Sequence, residues 1–95
     1  MCEIPREILV RWAASKPTIN CLYVFGSYAH GEAGSDSDLD LAFDFINVDE
    51  PLAELIEKAA AWKAELGRLT GIVIKDVYLS TDAVAQGPKV LIFSR

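Results

Sequence analysis

Clustered positive charge is missing from this chain. Nine Lys and Arg stand against fourteen Asp and Glu, for a formal charge of −5, and no stretch gathers several basic residues. That argues against long nucleic acid as a partner, because neutralising a phosphate backbone takes a basic footprint. A nucleoside triphosphate carried in with Mg²⁺ stays possible, since the metal cancels much of the local acidity. Cysteine is equally scarce. Cys2 and Cys21 have no CxxC or His-paired spacing, so no zinc site is expected, and both would stay reduced in an intracellular chain. Cys21 reads as a small buried apolar residue on a strand. No apolar run approaches the length of a bilayer span, so no membrane association is expected. The opening MCEIPREILV carries acids early and lacks a basic flank, so it does not read as a signal peptide, and a cytoplasmic location is expected.

What the sequence does contain suits a folded protein: 95 residues, 52% hydrophobic and 24% charged, enough for one domain over residues 1–95. Pro5 stands where helices like to begin, and Ile4, Ile8, Leu9 and Trp12 form an apolar stripe, predicting a helix over 4–15 that stops ahead of Pro17. Ile19–Phe25 reads as a buried strand. A short helical turn is expected from Tyr28 to Glu32, then a loop from Gly31 to Ser37. A second strand is expected over Asp38–Phe43, where Leu39, Leu41 and Phe43 alternate with polar or small residues. Asp49-Glu50-Pro51 opens a second helix running to about Leu66 and ending near Gly67 or Gly71. Leu52, Leu55, Ile56, Ala59, Trp62 and Leu66 form its apolar face. Ile72–Leu79 is a third strand, Ser80-Thr81-Asp82 caps a short turn reaching Gln86, and Val90–Phe93 is a last strand at the sheet edge. The order predicts an α/β (α+β) fold, a small mixed sheet with helices covering one face.

The chemistry concentrates between the first two strands. Asp38 and Asp40 lie two apart on one strand, so their carboxylates share a face. Two like charges held so close call for a positive partner, and a divalent ion such as Mg²⁺ suits paired aspartates beside a phosphate. The Gly26-Ser27 turn lets backbone and hydroxyl approach phosphate oxygens closely. A third acid, Asp76, sits amid Ile72, Val73, Ile74, Val77, Tyr78 and Leu79; it needs a partner or a metal unless it faces solvent or pairs with Lys75.

The run GSYAHGEAGSDSDLDLAF, with Gly26, Ser27, Ser37, Asp38, Asp40 and Leu41 at the signature positions, resembles the minimal nucleotidyltransferases of the DNA polymerase beta-like superfamily. The resemblance implies that superfamily's nucleotidyltransferase palm. It implies Asp38, Asp40 and Asp76 as catalytic, metal-holding carboxylates of a two-metal Mg²⁺ site, and Gly26, Ser27 and Ser37 as nucleotide-binding residues. It further implies transfer of AMP from ATP to a hydroxyl. In characterised pairs that hydroxyl belongs to a tyrosine of a helical HEPN toxin, and the minimal nucleotidyltransferase is the antitoxin. The family commonly has Arg where this chain has His30. A neutral imidazole offers one donor and no fixed charge, so triphosphate binding is weaker here or His30 fills a structural place.

Asp36-Ser37-Asp38-Leu39-Asp40 begins like a calcium loop, but Leu41 and Asn47 stand where Gly and an acid are required. Ser27 lacks the second flanking Gly and the His–acid pair of a hydrolase nucleophile. Asp36 is expected to cap the loop or be solvated, and Asp44 to be solvated at the strand end. Trp12 and Trp62 are expected in the core, with a partner-facing apolar patch as the alternative. Against the enzyme stands a binding module that neutralises its partner by occlusion. A small-molecule nucleotidyltransferase of the aminoglycoside type ranks last, for want of acceptor-binding structure. The oligomeric state, a homo-oligomer included, stays open.

Overall fold

The computed structural model describes residues 3–31, 34 and 37–95. Cys2, Asp36 and Glu32, the end of the expected turn, lie outside them. Helix α1 covers Arg6–Ala14, with Pro5 at its N-cap and Leu9, Trp12 and Ala13 buried. It starts later than expected because Ile4 remains outside, its carbonyl accepting the Arg6 N–H at 2.8 Å. At the other end the Ser15 hydroxyl donates to Trp12 O (2.6 Å), while the Arg95 guanidinium donates to Ala13 O (3.3 Å) and Lys16 O (2.8 Å). These donors satisfy carbonyls that a helix end leaves unpaired.

Four strands form one sheet in the order β3-β2-β1-β4: β1 Ile19–Phe25, β2 Leu39–Phe45, β3 Ile74–Leu79 and β4 Lys89–Ser94. β1 lies antiparallel to β2 and β4, and β2 runs parallel to β3. A parallel pair needs a crossover, and α2, Pro51–Thr70, supplies it. The expected mixed sheet is therefore present, with β4 at its edge. β2 begins one residue later than expected and runs two further, so Asp38 stands just ahead of the strand. β3 starts at Ile74 rather than Ile72. The Asp82 side chain accepts the Val84 N–H at 2.9 Å and caps a 3₁₀ turn at Ala83–Ala85, as the Ser80-Thr81-Asp82 sequence predicts.

The core fills the space between helices and sheet. Leu39, Leu41 and Phe43 of β2 meet Leu22 and Val24 of β1 and Leu9, Trp12, Leu55, Trp62 and Leu66 of the helices. Both tryptophans are core residues, at 4% and 5% exposure, with rings crossing edge-on at 5.4 Å. The Trp12 indole N–H donates to Glu65, whose carboxyl is held below its ordinary range, first by its hydrogen bond to Lys16.

Several expectations are corrected. α2 continues to Thr70 because Gly67 is accommodated inside it, and the stop falls at Gly71, which takes the left-handed conformation (φ 73°) and returns its N–H to Gly67 O. Leu52 and Ile56 are 57% and 69% exposed. Ile56 lies about 100° around the helix from Leu55, off the Leu55–Trp62–Leu66 line that meets the sheet. Cys21 is on β1 but only half-buried, since it points to the face without helices. Asp44 is not simply solvated: it is half-buried and accepts the Asn20 amide at 2.9 Å.

Trp62→Ala is expected to cost about 3–5 kcal/mol of stability through the cavity it leaves, and Ile56→Ala no more than about 0.5 kcal/mol. Urea denaturation of the two variants measures the contrast.

Candidate functional site

The sheet's second face carries the polar motif. Strand register lays Asp76 of β3, Asp40 of β2, Phe25 of β1 and Lys89 of β4 in one row across the sheet. The next row is Tyr78, Ala42, Tyr23 and Leu91. Asp38 lies at the entrance to β2, one pleat above Asp40, so the three predicted carboxylates come to one corner of the face.

An irregularity makes this possible. Leu39 pairs with Ile74, yet the next residue, Asp40, pairs with Asp76, leaving Lys75 as an extra residue on β3. With unbroken pairing Asp40 would face Lys75, and Asp76 would stand opposite Leu41 on the helix-covered side. The bulge lets Ile74 enter the core while Asp76 turns to the carboxylate face.

The phosphate-turn candidates sit beside this corner. Gly26 follows β1 with φ 73° and opens a 3₁₀ turn, Gly26–Tyr28. The Ala29 and His30 N–H groups close it on Gly26 O at 3.0 and 3.1 Å. The turn expected from Tyr28 follows directly, the Gly31 N–H donating to Tyr28 O at 3.3 Å. A Cβ on Gly26 would run into Asp40 Oδ2, so the absent side chain is what lets the turn lie against that carboxylate. Ser27 is half-buried in the turn, and His30 is exposed. Ser37, also half-buried, accepts the Gly34 N–H on Oγ at 2.9 Å, a bond that does not use its own hydroxyl proton.

Electrostatics single out Asp40. Its carboxyl is pushed above the ordinary value, first by burial; the Lys75 charge opposes this, and the Asp38 and Asp76 charges reinforce it. Tyr78 is likewise raised, first by burial, then by the charge of Asp76 and a hydrogen bond to it, with Asp40 and Asp82 adding. Among the described residues no three acidic, His or Cys side chains are drawn close enough to hold a metal as they stand. The donor chemistry fits a hard divalent cation all the same. Three carboxylates face one corner, the central one is destabilised by its neighbours' charge, and a side-chain-free cradle lies against its oxygen.

The sequence reading missed two contributors. Lys75 appeared only as a possible partner for Asp76, whereas its charge acts on Asp40. Tyr78 appeared only as an aromatic strand former; its signal was a phenol two residues from an acid on one strand.

A family model described as polymerase beta, nucleotidyltransferase matches residues 7–91. The chain belongs to that family. It is also similar to the crystal structure of a "putative nucleotidyltransferase from Sulfolobus solfataricus", at 27% identity and a TM-score of 0.55, over 95% of this chain and 77% of that one. No curated protein matches the chain.

Gly26→Ala is expected to cost about 1–3 kcal/mol, since Ala must take the left-handed conformation and displace the Asp40 carboxylate; chemical denaturation measures it. For Asp40 a folded value above the unfolded one means the native state favours the protonated form. Its contribution to stability is thus full below the ordinary carboxylate value and is lost as pH rises through the raised one. Asp40→Asn is therefore expected to stabilise the metal-free protein at neutral pH, with the gain vanishing near pH 3. Thermal melts across that range in EDTA would show it.

Proposed function

We propose that the chain transfers AMP from ATP to a hydroxyl on a protein partner. One observation supports this above the rest: the bulge at Lys75 sets Asp76 beside Asp40 on the face bordered by the Gly26-Ser27 turn. In this reading Asp38 and Asp40 hold Mg²⁺ and Asp76 completes the site. Mg²⁺, once bound, supplies charge neutralisation for the triphosphate and the departing pyrophosphate. The chain's own residues do the rest. Gly26 admits phosphate oxygens to the backbone, and the Ser27 and Ser37 hydroxyls donate to them. Asp76 accepts the proton of the attacking hydroxyl. The acceptor is a tyrosine of a helical HEPN-type toxin, making this chain a cytoplasmic antitoxin.

The occlusion reading has its own support. On the helical side, remote from the carboxylates, Ile8 and Leu69 are 37% and 51% exposed beside Trp12, an apolar strip suited to a partner that need not be modified.

The test uses ATP labelled at the α-phosphate, Mg²⁺ and the product of the adjacent gene as the candidate partner. Label is expected on the partner with wild type, falling about a hundredfold or more with Asp40→Asn or Asp76→Asn, the order lost when a transition-state charge stabiliser is removed. Undiminished label in both variants would rule out these carboxylates. Neutralisation of the partner without label, by wild type and variants alike, would establish occlusion instead.

A further inference from the structure

The chain reaches β4 by crossing the carboxylate face. β3 and β4 run parallel at opposite edges of the sheet, so residues 80–88 must span it. α2 makes the β2–β3 crossover on the helical side, and a right-handed return in the other direction has to use the opposite face. Ala85 of this strap is fully buried against Phe25 and Ala42, and the Gln86 amide donates back to Ser80 O (2.9 Å) and Asp82 O (3.0 Å). The strap delivers Lys89, the first residue of β4, to a place directly opposite Phe25. Phe25 stands opposite Asp40 on its other side and immediately precedes Gly26. The Gly26-Ser27 turn therefore leaves the sheet between an acidic strand and a lysine. Lys89 is half-buried; its ammonium lies 5.5 Å from the centroid of the Tyr23 ring and donates to Ala85 O at 3.1 Å.

We infer that Lys89 is a nucleotide-binding residue, its ammonium exchanging Ala85 O for the pyrophosphate end of a nucleoside triphosphate held at the Gly26-Ser27 turn. This rests on the nucleotidyl transfer proposed above. The first reason is charge. The chain carries a formal −5, and the acidic corner at Asp40 already calls on a metal's charge for itself, so the phosphates need a further cation. The second reason is reach. Directly opposed residues of antiparallel strands have Cβ atoms about 5 Å apart, a gap that the flexible four-carbon stem of lysine spans. The third is the strength of the exchange. A carbonyl oxygen and a ring face offer an ammonium only partial charges, whereas a phosphate oxygen offers nearly a full one. Register then orders the site from Asp76 and Asp40, across the turn, to Lys89, with the phosphates between acid and base.

Lys89→Met keeps most of the stem and removes the charge. Binding of the α,β-methylene analogue of ATP with Mg²⁺, measured by titration calorimetry, is expected to weaken about tenfold or more, the usual loss for a hydrogen bond to a charged group. Lys89→Arg restores a cation and should recover most of that affinity. Gln86→Ala cuts the strap's own tie, leaves the ammonium in place and should bind the analogue as wild type does. Unchanged affinity in Lys89→Met overturns the assignment. So does an equal loss in Gln86→Ala, which would make Lys89 a fastener of the strap only. Either result, with wild type binding the analogue, leaves the nucleotidyl-transfer reading standing. If wild type does not bind the analogue at all, that reading fails first and this inference with it.

Discussion

Asp40 and Asp76 stand side by side on adjacent strands with Asp38 one pleat away, and the mutual repulsion of these carboxylates is the constraint on which the rest depends. Nothing in ordinary packing favours such a corner: burial raises the Asp40 carboxyl, and its acidic neighbours raise it further. The fold meets that cost with rigidity from the other face. Phe43, Trp12, Trp62 and the leucines of β2 form a close-packed layer under the helices. β2, which carries Asp40, is thereby held between two strands and beneath two helices. The Lys75 charge acts against the repulsion, and Lys75 sits at the bulge that creates the juxtaposition.

The division of labour between the two faces explains how one small sheet carries both a core and a corner of carboxylates. The helical face supplies stability. The other face is spared from covering, apart from the small cluster of Phe25, Ala42 and Ala85, and can expose carboxylates to a ligand. The Gly26 turn belongs to this arrangement as well. It leaves the strand that pairs with β2, so its position relative to Asp40 is set by the β1–β2 ladder rather than by loop conformation. Membership of the polymerase beta nucleotidyltransferase family agrees with a reaction that relies on charge neutralisation and positioning. Such chemistry needs a few carboxylates aimed well, and asks less of an enclosing cavity.

Much of this was legible in advance. The strand Ile19–Phe25 was bounded correctly by its apolar run, and the start of α2 by Pro51. The mixed sheet followed from the order of elements. Boundaries failed where two signals competed: Gly67 and Gly71 both looked like helix ends, and only the second could adopt the left-handed turn with its N–H returned to the helix. Leu52 and Ile56 were assigned to the buried face because apolar residues at helical spacing look alike until the sheet shows which line it meets. Cys21 and Asp44 were misjudged for a related reason, since which face of the sheet stays uncovered is decided by where the helices pack.

By itself the sequence determined the chemistry on offer: a Gly-Ser turn, two aspartates at strand spacing and a third acid in an apolar strand, all local patterns carried by backbone periodicity. It could not determine whether Asp76 would meet Asp40. Strict alternation places Ile74 and Asp76 on the same side of β3, and a core that buries Ile74 would have buried Asp76 with it. Tertiary structure decided the matter. The apolar layer takes Ile74, parallel pairing with β2 accommodates Lys75 as an extra residue, and the alternation resets so that Asp76 and Tyr78 face the turn. A pairing irregularity arises between strands far apart in the chain, in answer to which side chains the core accepts, and no short window of residues records it.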